Sequence, residues 1–331
     1  MTPVQQTEAP ARLPAEALDD HRRNLTGYCY RMLGSPFEAE DAVQETMLRA
    51  WRALDTFDNR SSLNTWLHRI ATNVCLDVLK SRKRRATPMD LGPAQEPLLT
   101  NLNTRSEVTW IEPIPGTVID GETDPADVAV SRETVKLAFI AALQHLPARQ
   151  RAVLILCEVL RWQATEVAEL LDTSVASVNS ALQRARAKLT SSGATADTAS
   201  LPLDAEHEAL LRRYVDAFQR YDLDALTAVI RSDASQSMPP YDMWLEGRDA
   251  ILTWFFGPGL GCSGSRLLPT VAANGSIAFG QYKPSASGGY EPWALQVVEI
   301  GDGGVAELTF FLDTERFFPL FNLPESLPAA S

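Results

Sequence analysis

SPFEAEDAVQETMLRAWRAL, residues 35–54, and RSSLNTWLHRIATNVCLDVLKSRKRR, residues 60–85, form the stretch on which the fold turns. Ser35 can cap a helix, Pro36 suits its first position, and Glu38 stands three residues on to complete a capping box. Val43, Met47, Ala50, Trp51 and Leu54 then recur at spacings of three and four, and are expected on one buried face. Off that face stand Asp41, Gln44, Glu45, Leu48 and Arg49, which composition alone assigns to solvent. The second helix places Leu63, Trp66, Leu67, Ile70, Val74 and Val78 inside and ends in Lys80, Arg82, Lys83, Arg84 and Arg85. A helix dipole welcomes some of that charge. Five positive side chains in six residues exceed the need, and phosphate attraction is the better use. Arg69, Asn73 and Lys80 project from the other side of this helix.

About eighty residues later, 164–189 reads as a helix-turn-helix. Such a unit needs apolar side chains where its helices cross and a small residue where they touch. Val167, Leu171, Val175, Val178 and Ala181 supply the first, and Ala168 the second. Ser174 can cap the recognition helix, so Ala176, Ser177, Asn179, Ser180, Gln183 and Arg184 face outward. Asn and Gln suit adenine edges; Arg184 and Arg186 suit phosphate or guanine. An ordinary helical hairpin would share the apolar spacing.

Residues 35–85 resemble region 2 of the extracytoplasmic-function (group 4) sigma subunits of bacterial RNA polymerase, in AEDAVQETMLRAW (39–51) and RSSLNTWLHRIATN (60–73) and in the spacing between them. The resemblance implies that Asp41, Gln44, Glu45, Leu48 and Arg49 meet the clamp helices of the largest catalytic polymerase subunit. It further implies that the loop 58–64, with Arg60, Ser61, Ser62 and Asn64, captures an unstacked base of the promoter −10 element. Arg69, Asn73, Lys80, Arg82, Arg84 and Arg85 would support that strand. Upstream of the helix-turn-helix, LPARQRAVLIL (146–156) resembles the corresponding helix of sigma region 4, which implies the −35 element as target and the polymerase flap as a second contact. Where many relatives carry Gly at the tight turn this chain has Asp172, and Gln163 replaces a commoner Ser or Thr cap. Asn179 and Ala181 replace basic residues, so the −35 sequence cannot be carried over.

The chain has 331 residues and a formal charge of −12, unusual for a DNA-binding protein until it is divided. Residues 1–90 carry +1, 91–130 carry −6, 131–190 carry +3 and 191–331 carry −10. The acid lies outside the candidate DNA-contacting helices and would repel stray duplex. Composition shifts suggest a disordered N-terminus (1–18), a region 2 domain (19–87), an acidic linker (88–130) that suits either a path through the positively lined polymerase channel or a solvated tether, a region 4 domain (131–190), a flexible joint (191–202) and a C-terminal domain (203–331). No apolar run is long enough for a membrane span, and the N-terminus lacks a secretory pattern, so a cytoplasmic protein is expected. Cys29, Cys75, Cys157 and Cys262 lack metal-ligand spacing and read as reduced packing residues. No metal or cofactor motif is present.

In the C-terminal part, Ala205 to Tyr221 carries Leu210, Leu211, Tyr214, Val215 and Phe218 on one face, and a short helix is expected at 224–230. Strands are expected at 265–273, 276–283, 290–300 and 305–313, an α+β arrangement. LLRRYVDAFQRYDLDAL (210–226), MPPYDMWLEGRDAI (238–251), ALQVVEI (294–300) and TFFLD (309–313) resemble the SnoaL-like branch of the NTF2-like cone fold, an appendage of the SigG-like and SigJ-like sigma factors. Members of that fold include enzymes, but Asp242, Glu246 and Asp313 are acids of interest by location only, and no catalytic residue is assigned. Tyr241, Trp244, Trp254, Tyr282, Trp293 and Phe310, with Phe255 and Phe311, could line a pocket for a small hydrophobic ligand or simply pack.

The expectation is therefore a multidomain chain, two all-α sigma domains followed by an α+β cone, acting in transcription initiation with core RNA polymerase and promoter DNA as partners. Regulation in cis by the cone is expected from the fusion. A separate anti-sigma protein is left open. The alternatives are a plain helix-turn-helix regulator and a sensor with a ligand-binding or catalytic cone.

Overall fold

The computed structural model describes residues 16–57, 61–105, 109–119, 134–191 and 205–329. Most of the stretch read as disordered (1–18) and of the flexible joint (191–202) lies outside them, as does Arg60. The chain forms two compact bodies, Met1–Arg82 with Pro147–Arg186, and Lys83–Leu146 with Ala187–Ser331.

The first body opens with α1 (Arg22–Leu33), α2 (Pro36–Ala53) and α3 (Leu63–Ser81). Gly34 ends α1 at φ +72, its amide donating to the Tyr30 carbonyl, a left-handed cap that glycine adopts without strain. One residue later the Ser35 hydroxyl accepts from the Glu38 amide at 3.3 Å and starts α2. The buried face of α2 is Ala39, Ala42, Val43, Thr46 and Ala50. These side chains are small, so the buried stripe is narrow and ends at Ala50. Trp51, expected inside, is 63% exposed. Tyr28 and Thr72 hydroxyls, 2.7 Å apart, tie α1 to α3.

After α4 (Leu137–Gln144), which belongs to the second body, the chain returns as α5 (Ala148–Leu154), α6 (Ala164–Leu170) and α7 (Val175–Ser191). The buried Arg151 of α5 donates to the Met32 carbonyl of α1, and the Trp162 ring lies 5.4 Å from that of His68 on α3. The two helical modules thus share one core.

The second body is built on a six-stranded sheet ordered β4-β3-β8-β7-β6-β5. Its strands are β3 (Ile230–Ser237), β4 (Trp244–Glu246), β5 (Arg266–Pro269), β6 (Ile277–Pro284), β7 (Tyr290–Gly301) and β8 (Gly304–Phe311); β3 and β8 run parallel and the other pairs antiparallel. Three helices, α8 (Ala205–Arg220), α9 (Leu223–Val229) and α10 (Arg248–Phe256), join a core with Phe279, Val298, Leu308 and Phe310 of the sheet. The C-terminal helix α11 (Thr314–Leu320) stacks Phe317 on Phe311 and Phe318 on Tyr282. The elements β3, β4, α10 and α11 were not expected. IRSDASQS of β3 is mostly small polar residues with no alternation of apolar side chains, so its sheet position comes from partners far along the chain.

The described residues of the segment expected as an acidic linker are laid on this body. Its β1 (Arg85–Ala86) pairs in parallel with β2 (Thr109–Trp110). The Gln95 amide donates to the Trp244 carbonyl at 2.9 Å, the Asp242 amide to Asn103 at 3.0 Å and the Gly116 amide to Ala272 at 2.8 Å. Asn274 holds both sides of residues 120–133: its Oδ1 accepts from the Ile114 amide at 2.9 Å and its Nδ2 donates to the Val135 carbonyl at 2.5 Å. Ile111, Ile114 and Ile119 are buried. Single isoleucines among prolines and acids show no period, yet suffice to anchor an extended chain.

Candidate nucleic-acid interface

The recognition helix is the plainest site. Ser174 Oγ accepts from the Ser177 amide at 3.2 Å, and Asp172 takes up the left-handed turn at φ +50, a conformation that Asp tolerates among L-residues. Ala176, Ser177, Asn179, Ser180, Gln183, Arg184 and Arg186 are all exposed. Arg184 donates to Ser180 Oγ at 2.6 Å, and Arg186 pairs with Glu158. One core expectation is corrected: Val175 is 39% exposed. It sits in the first turn, ahead of the helix crossing, which is made by Val178 and the fully buried Ala185.

On α3, Arg69, Asn73 and Lys80 are exposed, as are Ser61 and Ser62 at its start, where Ser62 Oγ caps the helix by accepting from the Thr65 amide at 3.0 Å. Lys80 pairs with Asp77 at 2.8 Å, and Arg82 with Glu38. The last arginine of the basic run is corrected. Arg85 is 7% exposed, donates to the Trp110 carbonyl and lies 3.6 Å from Glu112. Arg84 contacts His145 Nδ1 at 2.5 Å and Asp90 at 3.7 Å. Both belong to the second body because β1 begins there. Among the residues expected at the DNA, Arg85 is buried by that pairing.

The expected clamp face of α2 has Asp41, Gln44, Leu48 and Arg49 exposed and Glu45 half-buried; Arg49 pairs with Glu45 at 2.7 Å. Trp51 is three residues from Leu48 and seven from Gln44, so it continues the same stripe. That spacing was readable, but the apolar period claimed the tryptophan for the core. His68, which the sequence reading passed over, is 1% exposed. Its Nδ1 faces the Asn64 carbonyl at 2.9 Å and its ring packs against Tyr28 and Trp162. Burial lowers its pKa to about 4, so the ring is neutral.

In the C-terminal body the expected pocket aromatics, Phe311 apart, do not line the cavity described below. Trp254, Tyr282 and Phe310 are buried, and Tyr241 packs at the edge of the core. Trp244 Nε1 donates to the Gly92 carbonyl at 2.9 Å, and Trp293 lies under the Lys283 ammonium at 3.5 Å. The cavity, about 320 Å³, is bounded instead by residues 86–89, Ile111, Leu137, Ala138, Ala141, Ala142 and His145 on one side and by Ser237, Pro239, Glu307, Thr309 and Phe311 on the other. Side chains alternate along β8, so Glu307, Thr309 and Phe311 point away from the helix-covered core that holds Leu308 and Phe310. In that core Gln296 donates to the Tyr214 hydroxyl at 2.5 Å. Of the acids noted by location, Asp242 is 5% exposed and bound by Arg105 at 2.6 Å, Glu246 is exposed, and Asp313 lies 3.5 Å from Arg316. The Arg105–Asp242 pair spans 137 residues, which no local pattern could announce.

Comparison with known proteins agrees with this geometry. The Sigma-70 region 2 family model matches residues 17–85 and the Sigma-70 region 4 model residues 136–189. The ECF RNA polymerase sigma factor SigG of Mycobacterium tuberculosis is 46% identical over 313 residues, covering 93% of this chain and 83% of that protein. SigJ of the same species is 27% identical over 314 residues, covering 89% and 90%. The crystal structure of M. tuberculosis SigJ matches with a TM-score of 0.62 at 21% identity, covering 94% of this chain and 100% of the other, and shows the same fold. The chain belongs to the extracytoplasmic-function RNA polymerase sigma factors. It carries the two sigma modules followed by an α+β domain, and as a member of that family it binds core RNA polymerase and promoter DNA. No helix among the described residues is long and apolar enough to cross a membrane.

Proposed function

We propose that this cytoplasmic sigma factor is regulated in cis by its C-terminal domain, which acts by holding the linker and the last two arginines of the basic run rather than by catalysis. The observation that carries the reading is the placement of Arg84 and Arg85. Both belong to the basic run that supports the −10 strand in the family, and both are engaged by Asp90, Glu112, His145 and the Trp110 carbonyl in the C-terminal body. Asn274 and the Arg105–Asp242 pair hold the linker from further along.

In the initiating form Asp41, Gln44, Glu45, Leu48, Arg49 and Trp51 would meet the polymerase clamp. Ser61, Ser62, Asn64, Arg69 and Asn73 would hold the melted −10 strand, and Asn179, Ser180, Gln183 and Arg184 would read the −35 edge. Two promoter elements about two helical turns apart are roughly 70 Å from one another. Modules joined in one core by Arg151 and by the His68–Trp162 contact cannot meet both at once. Supporting initiation therefore requires those contacts to part.

Promoter-specific transcription with core polymerase tests the reading, using the full chain, its Asn274→Ala variant and a truncation ending near Asp197, with core binding measured for each. Cis inhibition predicts that Asn274→Ala and the truncation raise initiation several-fold at equal core binding. Equal or lower activity from both, with core binding intact, would overturn it.

A further inference from the structure

The cavity under the linker has a chemistry that the sigma modules do not use. Its walls are apolar: Met89 and Ile111 come from the linker, Leu137 and Ala141 from α4, Phe311 from β8. A single carboxylate, Glu307, stands in it. Ser237 Oγ donates to Thr309 Oγ1 at 3.4 Å, and Thr309 Oγ1 donates to Glu307 Oε1 at 3.3 Å. This short relay ends on one carboxylate oxygen; among the described residues nothing donates to the other, and no basic side chain forms an ion pair with Glu307. His145, at the cavity edge, already has Asp90 2.7 Å from its Nε2 and Arg84 on Nδ1.

A second acid stands beside the first. Glu299 on β7 is directly opposite Glu307 on β8, accepts from Ser276 Oγ, and feels the positive charge of Lys136. Burial and the neighbouring Glu299 push the Glu307 pKa up to about 7. Two half-buried carboxylates face each other with one hydroxyl donor each, and Glu307 has no ion-pair partner among the described residues. An acid at the edge of an apolar cavity is well satisfied by a cation that brings its own apolar cover.

We propose that this cavity binds a small amphipathic ammonium ion, its nitrogen donating to Glu307 and its apolar body enclosed by Met89, Ile111, Leu137, Ala141 and Phe311. At about 30 Å³ for each water-sized share of volume, the space takes a body of roughly ten non-hydrogen atoms. A neutral isostere leaves the acid pair without charge compensation, and an anion is repelled by it. The site is on the face of the sheet opposite the helix-covered core, and its roof is the linker together with the first helix of the region 4 match. An occupant would therefore bind linker and cone at once. That consequence rests on the cis-regulation reading, whereas binding itself does not.

The test is calorimetric titration of the full chain, without polymerase, with 2-phenylethylamine, 2-phenylethanol and phenylacetate. The amine is expected to bind at least about tenfold more tightly than the alcohol, the size of one charge-assisted hydrogen bond, and phenylacetate is expected to give no heat. Glu307→Gln should weaken the amine about tenfold while leaving the alcohol unchanged. Ala141→Phe, which fills the cavity from α4, should abolish binding of both. The proposal is overturned if the alcohol matches the amine, if Glu307→Gln retains the amine's affinity, or if millimolar amine gives no heat with the folded chain. Either result leaves the sigma assignment untouched, because transcription is not the readout.

Discussion

The two bodies treat their charged side chains in opposite ways. The first leaves the side chains proposed to meet DNA on the surface: Asn179, Gln183 and Arg184 on α7 and Arg69 and Asn73 on α3 are solvent-facing. The second draws charges inward, burying Arg85 against Glu112 and Asp242 under Arg105 and setting the half-buried Glu307 beside Glu299. A surface that will meet DNA has to stay hydrated and free to re-pair. A surface that holds a linker in register needs partners that cost much to separate. The difference separates recognition from restraint within one chain.

Arg85→Ala should break the comparison most sharply. It leaves Glu112 partly buried without one of its cations, and the second body should lose about 3 kcal/mol, read as an earlier transition in urea unfolding. Arg69→Ala, on the exposed side of α3, should leave that transition in place and lower −10-dependent initiation. Loss of −10 binding by Arg85→Ala without loss of stability would mean that the arginine serves DNA directly.

Acid should move the bodies in opposite directions. His68 is held neutral with a folded pKa of about 4, below its unfolded value near 6.5. Its contribution is therefore complete above pH 6.5 and is lost as pH falls toward 4, to the extent of about 3 kcal/mol. Glu307, with a folded pKa of about 7, is the reverse. Its contribution is present below the unfolded carboxylate pKa near 4.5 and is lost as pH rises through 7. Melting between pH 4.5 and 6.5 should show the first body gaining and the second losing stability with rising pH. His68→Phe should flatten the first response and Glu307→Gln the second.

The smallest expected effect is on recognition alone. Asn179→Ala should cost about 1–3 kcal/mol of −35 discrimination, roughly five- to a hundredfold in promoter-specific initiation, with both unfolding transitions unchanged. An unaltered preference among −35 variants would remove Asn179 from base reading.

Much of this was legible. The cap at Ser35, the turn at Asp172 and the cap at Ser174 are local signals, and the structure has all three. The strands at 277–284, 290–301 and 304–311 agree with apolar alternation to within a few residues. Where the reading failed, the missing information was distant. Trp51 is exposed because α1 approaches a stripe of alanines, and the aromatics expected around a pocket are split between the core and the surface. The linker looked unstructured because extended chain bound by isolated isoleucines and backbone hydrogen bonds has no period.

The sequence by itself determined the class of protein, because helix caps, a turn and two long motifs act through neighbours a few residues apart. Only the tertiary structure decided that Arg84 and Arg85 belong to the C-terminal body, that Asn274 holds the linker on both sides of 120–133, and that the cavity opens beneath the linker rather than among the aromatics. Those outcomes depend on partners more than a hundred residues apart, as with Arg105 and Asp242, and on which face of β8 each side chain meets. Burial and charge pairing at that range are properties of the folded chain.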